Sequence, residues 1–359
     1  MSKDLNISFE FFPAKDQTAD ESLWESFVKL EAFNPKFVSV TFGAGGGARD
    51  KSDYLVKKIK KNSNTPVAGH LTCVDMSKDE INTIALDWLN NGINKIVALR
   101  GDVRKKDSKY TPHEKGYINA ADMVRGLKKL GNFEIAVAGY PDKHPESKNE
   151  NEDLENLKIK VDQGADKIIT QFFFDHEKFL RFRDKSIALG IKAPIIPGIL
   201  PIDNFKKVKD FSLKCGTIIP KWIEDKFSNL KEEEKFVGID IASNLVNKLQ
   251  AEGVNEFHFY TLNKYELTYA VCKNLLKEKK IDYSDKVQQV QISQTKVNSE
   301  IYRVTDSITK SNELEGASIF SILKFSSASN SPSKSEVIYM GLHEIKKSPI
   351  RTTILFFNV

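Results

Sequence analysis

Glu10 is the residue whose surroundings ask for an explanation first. It lies in Ile7-Ser8-Phe9-Glu10-Phe11-Phe12-Pro13. Strand alternation puts Ile7, Phe9 and Phe11 on one face, and Ser8, Glu10 and Phe12 on the other. A carboxylate among aromatics is expensive to strip of water. Two readings stand. One is a glutamate paired with a buried Arg or Lys. The other is a carboxyl in a low-dielectric pocket, its affinity for a proton raised so that it can act as a general acid near neutral pH. Further polar residues close short apolar runs: Thr41, His70, Asp102, Tyr140, His144 and Gln171. Any one of them alone reads as a satisfied core group. Several from different strands, gathered at the same end, read as a site.

The runs that would carry them recur with regular spacing. Strands are expected at 7–12, Phe37–Phe42, Val67–Thr72, Lys95–Arg100, Glu134–Tyr140, Lys167–Phe174, Ala193–Leu200 and Glu256–Leu262. Helical patterns separate them. One opens at Asp20-Glu21-Ser22, one is capped by Ser77, one starts at Asp203-Asn204, and extra helices fill 217–252. Strict strand–helix alternation argues for parallel strands, and eight units match a (β/α)8 TIM barrel with extra helices before the last strand. A doubly wound sheet is the fallback, but no GxGxxG follows the first strand. Alternation groups Ala68, His70 and Thr72 on one lumen face, and Ile96, Ala98, Arg100 and Asp102 on another. Ala136, Ala138 and Tyr140 form a third set; Ile169, Gln171 and Phe173 form a fourth. Barrel active sites lie at the carboxyl ends of the strands.

Composition narrows the classes. The 359 residues are 40% hydrophobic and 29% charged, with a net charge of +5. Charges are interspersed and form no basic arm, so no nucleic-acid partner is expected. Cys73, Cys215 and Cys272 are far apart and lack metal-ligand spacing. His70, His144 and Asp102 form no HxH or HxxxH pair, so no metal is expected. No apolar run is long enough to span a bilayer and no signal-peptide core follows Met1, so the expected compartment is the cytoplasm. Gly43-Ala44-Gly45-Gly46-Gly47 could bring backbone N–H groups to a phosphate, or could simply be a tight turn. Residues 1–285 are read as the barrel. The stretch 286–359, rich in Ser, Lys and Asn, is read as a low-complexity or poorly ordered extension.

At the level of motifs, the chain resembles the methylenetetrahydrofolate reductase family. The resemblance rests on Ser8-Phe9-Glu10-Phe11-Phe12-Pro13, Val40-Thr41-Phe42-Gly43-Ala44, Gly69-His70-Leu71-Thr72-Cys73 and Leu99-Arg100-Gly101-Asp102. It continues in Ala138-Gly139-Tyr140-Pro141 with His144-Pro145-Glu146, and in Thr170-Gln171-Phe172-Phe173-Phe174-Asp175. Pro197-Gly198-Ile199-Leu200-Pro201 and Phe257-His258-Phe259-Tyr260-Thr261-Leu262-Asn263 complete it, in family order from residue 7 to about 277.

This resemblance implies an FAD-dependent reductase of 5,10-methylenetetrahydrofolate. NAD(P)H would be the donor, in one-carbon metabolism and methionine biosynthesis, and the protein would be a homo-oligomer. Thr41, His70, Arg100, Gly101, Asp102, Tyr140, His144, Asp153, Asn156 and Lys160 match flavin-binding positions. Gln171, Phe211 and Lys264 match substrate positions; Glu10 matches the general acid, and Asp102 sits where it would tune the flavin. The chain departs from the family at Lys207, where a Gln is usual, and at Lys264, where an Arg is usual. Asn119 replaces a Tyr, with Tyr117 nearby. Two rivals remain at this level: a family-fold flavoprotein with another electron donor, and a barrel that binds without catalysing.

Overall fold

The computed structural model describes residues 5–42, 46–102, 110–228, 230, 234–277, 321–325 and 336–340. Eight parallel strands close into a barrel in sequence order: β1 (Asn6–Phe11), β2 (Phe37–Val40), β3 (Val67–Thr72), β4 (Lys95–Leu99), β5 (Glu134–Gly139), β6 (Lys167–Phe172), β7 (Ile195–Ile199) and β8 (Glu256–Tyr260). β8 returns to β1, pairing Ser8 with His258 and Glu10 with Tyr260. The helices between them are α1 (Gln17–Glu31), α2 (Gly46–Asn62), α3 (Lys78–Asn90), α4 (Ala120–Leu130), α5 (Glu150–Asp162), α6 (His176–Ala188) and α7 (Phe205–Cys215). Two further helices, α8 (Lys221–Phe227) and α9 (Glu234–Ala251), precede β8, as expected, and α10 (Glu266–Lys277) follows it.

Local chemistry starts these helices, with Ser77 and Asn204 capping where the sequence indicates; α1 instead begins at Gln17, ahead of the expected Asp20, because Asp16 supplies its cap. Asp16, Asn119, Asn149, Asp175 and Asn204 each accept a backbone N–H of the first turn. Ser77 and Glu80 form a reciprocal capping box at α3. Asn119, which the resemblance sets in place of a tyrosine, is the N-cap of α4.

Two apolar layers divide the barrel. The outer one lies between strands and helices and includes Ile7, Phe9, Phe11, Val38, Val40, Leu71 and Trp88. The inner one fills the lumen with Phe37, Ala68, Val97, Ala136, Ile169 and Ile196. This corrects one expected face. Ile96 and Ala98 pack in the outer layer, and the lumen of β4 is lined by Val97 and Leu99. Both faces of β4 are apolar, so alternation separates two faces without saying which is which. Phe173 also lies in the outer layer, stacked on Phe179, because the β6–β7 register shifts between Ile169 and Phe172. Where β6, β7 and β8 converge, a Cβ on Gly198 would stand 2.2 Å from the Thr170 carbonyl oxygen and 2.5 Å from the Tyr260 ring. Only glycine admits that approach.

The chain divides into two compact units, Met1–Asp282 and Tyr283–Val359. In the second, β9 (Ser321–Phe325) and β10 (Glu336–Met340) pair antiparallel. That pairing was not anticipated from the polar composition; the rest of 286–359 lies outside the described residues.

Candidate active site

A cavity of about 880 Å³ opens at the carboxyl ends of the strands. Of the residues singled out from the sequence, Glu10, Thr41, His70, Arg100, Gly101, Asp102, Tyr140, His144, Asp153, Asn156, Lys160, Gln171 and Phe211 all line it. Lys264 does not. It is exposed, bonds Asp203 Oδ2 at 2.6 Å and borders a separate small pocket. Lys207 is exposed on α7. Gly43, Ala44 and Gly45 lie outside the described residues, while Gly46 and Gly47 open α2.

The floor is a buried titratable cluster. Glu10 is 6% exposed. Its Oε2 stands 3.5 Å from His70 Nε2 and 3.8 Å from His258 Nε2. Among the described residues, the groups at ion-pair distance from it are thus histidines, where the structural reading of the sequence expected an Arg or Lys. Thr261 holds the backbone of Glu10, its Oγ1 donating to the Glu10 carbonyl at 2.6 Å. Burial lowers the His70 pKa to about 4, against a smaller upward pull from Glu10, so the ring is neutral at pH 7. His70 Nε2 has no hydrogen-bond partner among the described residues. A buried polar atom left unpaired beside a cavity is a point at which a ligand can bond.

The wall across the cavity is polar and more open. β4 ends at Leu99, and Gly101 adopts a φ of +88°. That left-handed turn carries Arg100 and Asp102 to the rim, and a Cβ there would also strike Val74 at 2.5 Å. Arg100 is paired with Glu146 through both guanidinium nitrogens and lies over the Tyr110 ring at 4.9 Å. Tyr110 OH donates to the Ile118 carbonyl, so an aromatic beside Asn119 lines the cavity. Tyr117 is instead buried, bonded to Asn82.

On α5, Asp153, Asn156 and Lys160 stand at i, i+3 and i+7, which is one helix face. Asp153 accepts from the His144 backbone N–H at 3.0 Å and from Ser147 Oγ at 3.1 Å, tying the β5–α5 loop to its helix. The His144 ring packs edge-on to Tyr140 at 4.7 Å. Its Nδ1 accepts from Glu146 N–H, which leaves the proton of the neutral ring on Nε2. Burial and the nearby Arg100 charge lower its pKa, so at neutral pH it acts as a hydrogen-bond donor rather than a cation. Burial lowers Lys160 to about 8 against a smaller pull from Asp153, and its Nζ donates to the Ala138 carbonyl. Burial, with the Asp153 charge second, raises the Tyr140 hydroxyl.

Gln171 Oε1 accepts from the Phe172 N–H at 2.9 Å. Phe211 stacks on Phe172 at 5.3 Å. Three residues of this region were not picked out individually from the sequence. Tyr260 and Cys215 line the cavity, and His258 is fully buried against Glu10. The alternation of Phe257-His258-Phe259-Tyr260 holds the signal for two of them, since His258 and Tyr260 fall on one face. Burial raises Cys215 to about 11, so its thiol stays protonated.

A closed parallel barrel whose strand ends converge on a polar cavity is a (β/α)8-barrel enzyme by layout. Relatives make the class specific. The sequence pattern described as methylenetetrahydrofolate reductase matches residues 1–276. A 5,10-methylenetetrahydrofolate reductase of Salmonella typhimurium is 48% identical over 274 residues, covering 76% of this chain and 90% of that protein. The protein of the same name from Escherichia coli K12 is 47% identical over the same shares. A probable methylenetetrahydrofolate reductase (NADH) of rice is 35% identical, covering 77% of this chain and 50% of that one. The chain belongs to the methylenetetrahydrofolate reductase family, and its activity is reduction of 5,10-methylenetetrahydrofolate to 5-methyltetrahydrofolate.

Among solved structures, an uncharacterised protein from Clostridium thermocellum that binds two copies of 5-methyl-5,6,7,8-tetrahydrofolic acid aligns with a TM-score of 0.56 at 15% identity. It covers 77% of this chain and 96% of that one, and shows the shared fold. No described helix is long and apolar enough to cross a membrane. Among the described residues, no group of three or more His, Cys, Asp or Glu is placed to hold a metal ion.

Proposed function

We propose that the reductase works with FAD, takes its electrons from NADH or NADPH, and uses Glu10 as the general acid of the folate step. The observation that carries this reading is the pairing of a buried carboxyl with a donor-rich wall in one cavity. The residues fit a dinucleotide. Arg100, Lys160 and the Nε2–H of His144 supply a guanidinium, an ammonium and a neutral donor for a pyrophosphate. The unpaired His70 Nε2 and the close backbone at Gly101 leave polar contacts for the ring system. Thr41, Asp102, Tyr140, Asp153 and Asn156 complete the wall. When bound, the flavin would supply hydride to the folate carbon.

The chain's own part is acid chemistry and orientation. The methylene bridge must open to an iminium ion, and the departing nitrogen needs a proton, which Glu10 can give. Burial excludes bulk water from that carboxyl. Gln171 can pair with a pterin or a carboxamide, and Phe211 offers a ring for stacking. Lys264 lies outside the cavity lining and is bonded to Asp203; as an exposed cation it suits the carboxylates of a folate's glutamate rather than its reacting ring. The reading also holds that the catalytic unit is 1–285, with 286–359 an extension outside the chemistry, and that the protein is a cytoplasmic homo-oligomer.

The test is direct. The purified full-length protein should be yellow, and NADH or NADPH added without oxygen should bleach it. A colourless protein that takes up no FAD would overturn the cofactor assignment, and a yellow one that neither nicotinamide reduces would point to a different donor.

A further inference from the structure

We infer that Asp142 is a positioning residue that joins two sides of the cavity: its carboxylate fastens the segment after α7 to the turn after β5, so that the dinucleotide side and the folate side are held as one piece. The inference rests on the reading that Tyr140 and His144 meet the dinucleotide and Phe211 the folate.

The turn after β5 is set by its own sequence. In Tyr140-Pro141-Asp142-Lys143 the Lys143 N–H donates to the Tyr140 carbonyl at 3.1 Å, closing a four-residue turn with proline in its second place. Lys143 takes a φ of +71°, a costly conformation for a residue with a Cβ. Its own Nζ pins it there, donating to the His144 carbonyl at 2.9 Å and to the Ser147 carbonyl at 2.5 Å. Tyr140 and His144 line the cavity, while Asp142 between them is not among its lining residues.

The partners of Asp142 lie outside the cavity. Its side chain is only 6% exposed, and a carboxylate removed from water must be matched by donors. Two distant parts of the chain supply them. Lys178 of α6 pairs with Oδ1, and the Ile218 backbone N–H donates to Oδ2 at 3.2 Å. The second bond is the joint. Because a backbone group makes it, the side chain of Ile218 gives no sign of it in the sequence.

Around that bond the two segments meet closely. Gly216 ends α7 at a φ of +72°, and a Cβ there would stand 2.7 Å from Pro145 Cγ. Thr217 is buried and donates Oγ1 to the Phe172 carbonyl at 3.0 Å. Phe172 is the ring on which Phe211 stacks. The turn that carries His144 and the helix end that carries Phe211 and Cys215 are therefore tied at Asp142, packed at Pro145, and seated together on β6. A group that touches neither ligand can in this way set the distance between two that do.

The tests use the full-length holoenzyme. Hydrogen exchange at the Ile218 amide should be slow in the parent chain, although that residue is 54% exposed. Fast exchange would overturn the joint whatever the variants do. Asp142→Ala removes both bonds. It should raise the KM for 5,10-methylenetetrahydrofolate and speed the release of FAD on dilution, each by about three- to tenfold, with kcat within about twofold. Asp142→Asn combined with Lys178→Met keeps an oxygen for the Ile218 N–H and leaves no ammonium to compete for it, so both readouts should return to within about twofold of the parent. A double variant as impaired as Asp142→Ala would place the effect in the ion pair and overturn the joint. An Asp142→Ala chain that is less stable to urea yet unchanged in both readouts would overturn it too, since that is packing alone. Phe211→Leu and Lys160→Met keep the two layers apart. If they leave folate KM and FAD release unchanged, the reading of the cavity fails and the inference falls with it. If each moves its own readout while Asp142→Ala moves neither or only one, the reading stands and Asp142 is not the joint.

Discussion

The β1–β8 seam and the β4–α5 wall face the same cavity yet are built on opposite principles. At the seam and beside it on β3, Glu10, His258 and His70 are buried, and among the described residues no Lys or Arg pairs with the carboxyl. At the wall, Arg100, Lys160 and Asp153 are only partly buried, and Arg100 and Asp153 are each held by ion pairs or backbone N–H groups. In the seam, desolvation dominates: it drives His70 to the neutral form, and it makes any proton transfer a matter of a few fixed donors and acceptors. On the wall, Arg100 keeps its charge beside Glu146, while burial takes Lys160 down to about 8, so an anionic ligand there would restore a charge that desolvation weakens. A barrel gets both environments from one architecture because the lumen deepens away from the rim.

The largest effect should come from breaking the seam. Glu10→Gln keeps size and a hydrogen bond but cannot release a proton. The folate half-reaction should fall about 10²–10⁴-fold, while nicotinamide reduction of the flavin stays nearly unchanged. Anaerobic stopped-flow absorbance with each substrate separately reads the two. Equal slowing of both would make Glu10 a support for the flavin site or the fold.

The next effect is on stability, again at the seam. The His70 pKa is about 4 in the folded protein and 6.5 in an ordinary setting. The unfolded chain therefore takes up this proton first as pH falls. The contribution of the neutral ring is complete above pH 6.5 and is lost progressively down to about 4, a loss of about 3 kcal/mol. Urea unfolding from pH 7 to pH 4 should show a shallower decline in His70→Asn than in the parent chain. Identical declines would mean His70 is not held neutral by burial.

The wall should answer to pH at the other end. Lys160 loses its charge above about pH 8, so a bound pyrophosphate should pull a proton onto it and FAD affinity should weaken as pH rises through that value. Lys160→Met should bind FAD about 10–100-fold more weakly at pH 7 and lose that alkaline dependence. Flavin fluorescence titration from pH 6.5 to 9.5 measures both. A parent affinity flat across that range would remove Lys160 from the anion site.

The smallest effect marks the limit of both regions. Among the described residues, every one that lines the cavity precedes 261. Removing 290–359 should leave FAD binding and turnover within a few-fold of the full chain. Loss of FAD binding would make the extension part of the site.

How far the sequence reached can be argued from particular residues. Strand–helix alternation and side-chain capping are local effects, and Ser77 and Asn204 start helices for reasons visible within four residues, whereas Asp16 rather than the expected Asp20 opens the first helix. The period-2 pattern of β1 separated Glu10 from Phe9 and Phe11 because one set there is polar. It could not orient β4, where both sets are apolar, and only ring closure decided that Val97 and Leu99 face inward. Thirteen of the fourteen residues chosen for the site were brought to one cavity; Lys264 was left on the outer rim, because the chain after β8 turns through left-handed Leu262 and Asn263 before reaching it.

Partners across the barrel were out of reach for a different reason. Ser8 and His258 are 250 residues apart and meet only because β8 pairs with β1. The sequence by itself determined which residues are polar and which elements of the barrel form and in what order, since those follow from short-range hydrogen bonding and hydrophobic period. Tertiary structure alone decided that His70 and His258, and among the described residues no lysine or arginine, stand against Glu10, because contacts and desolvation depend on how the sheet closes, and closure is a property of all eight strands together.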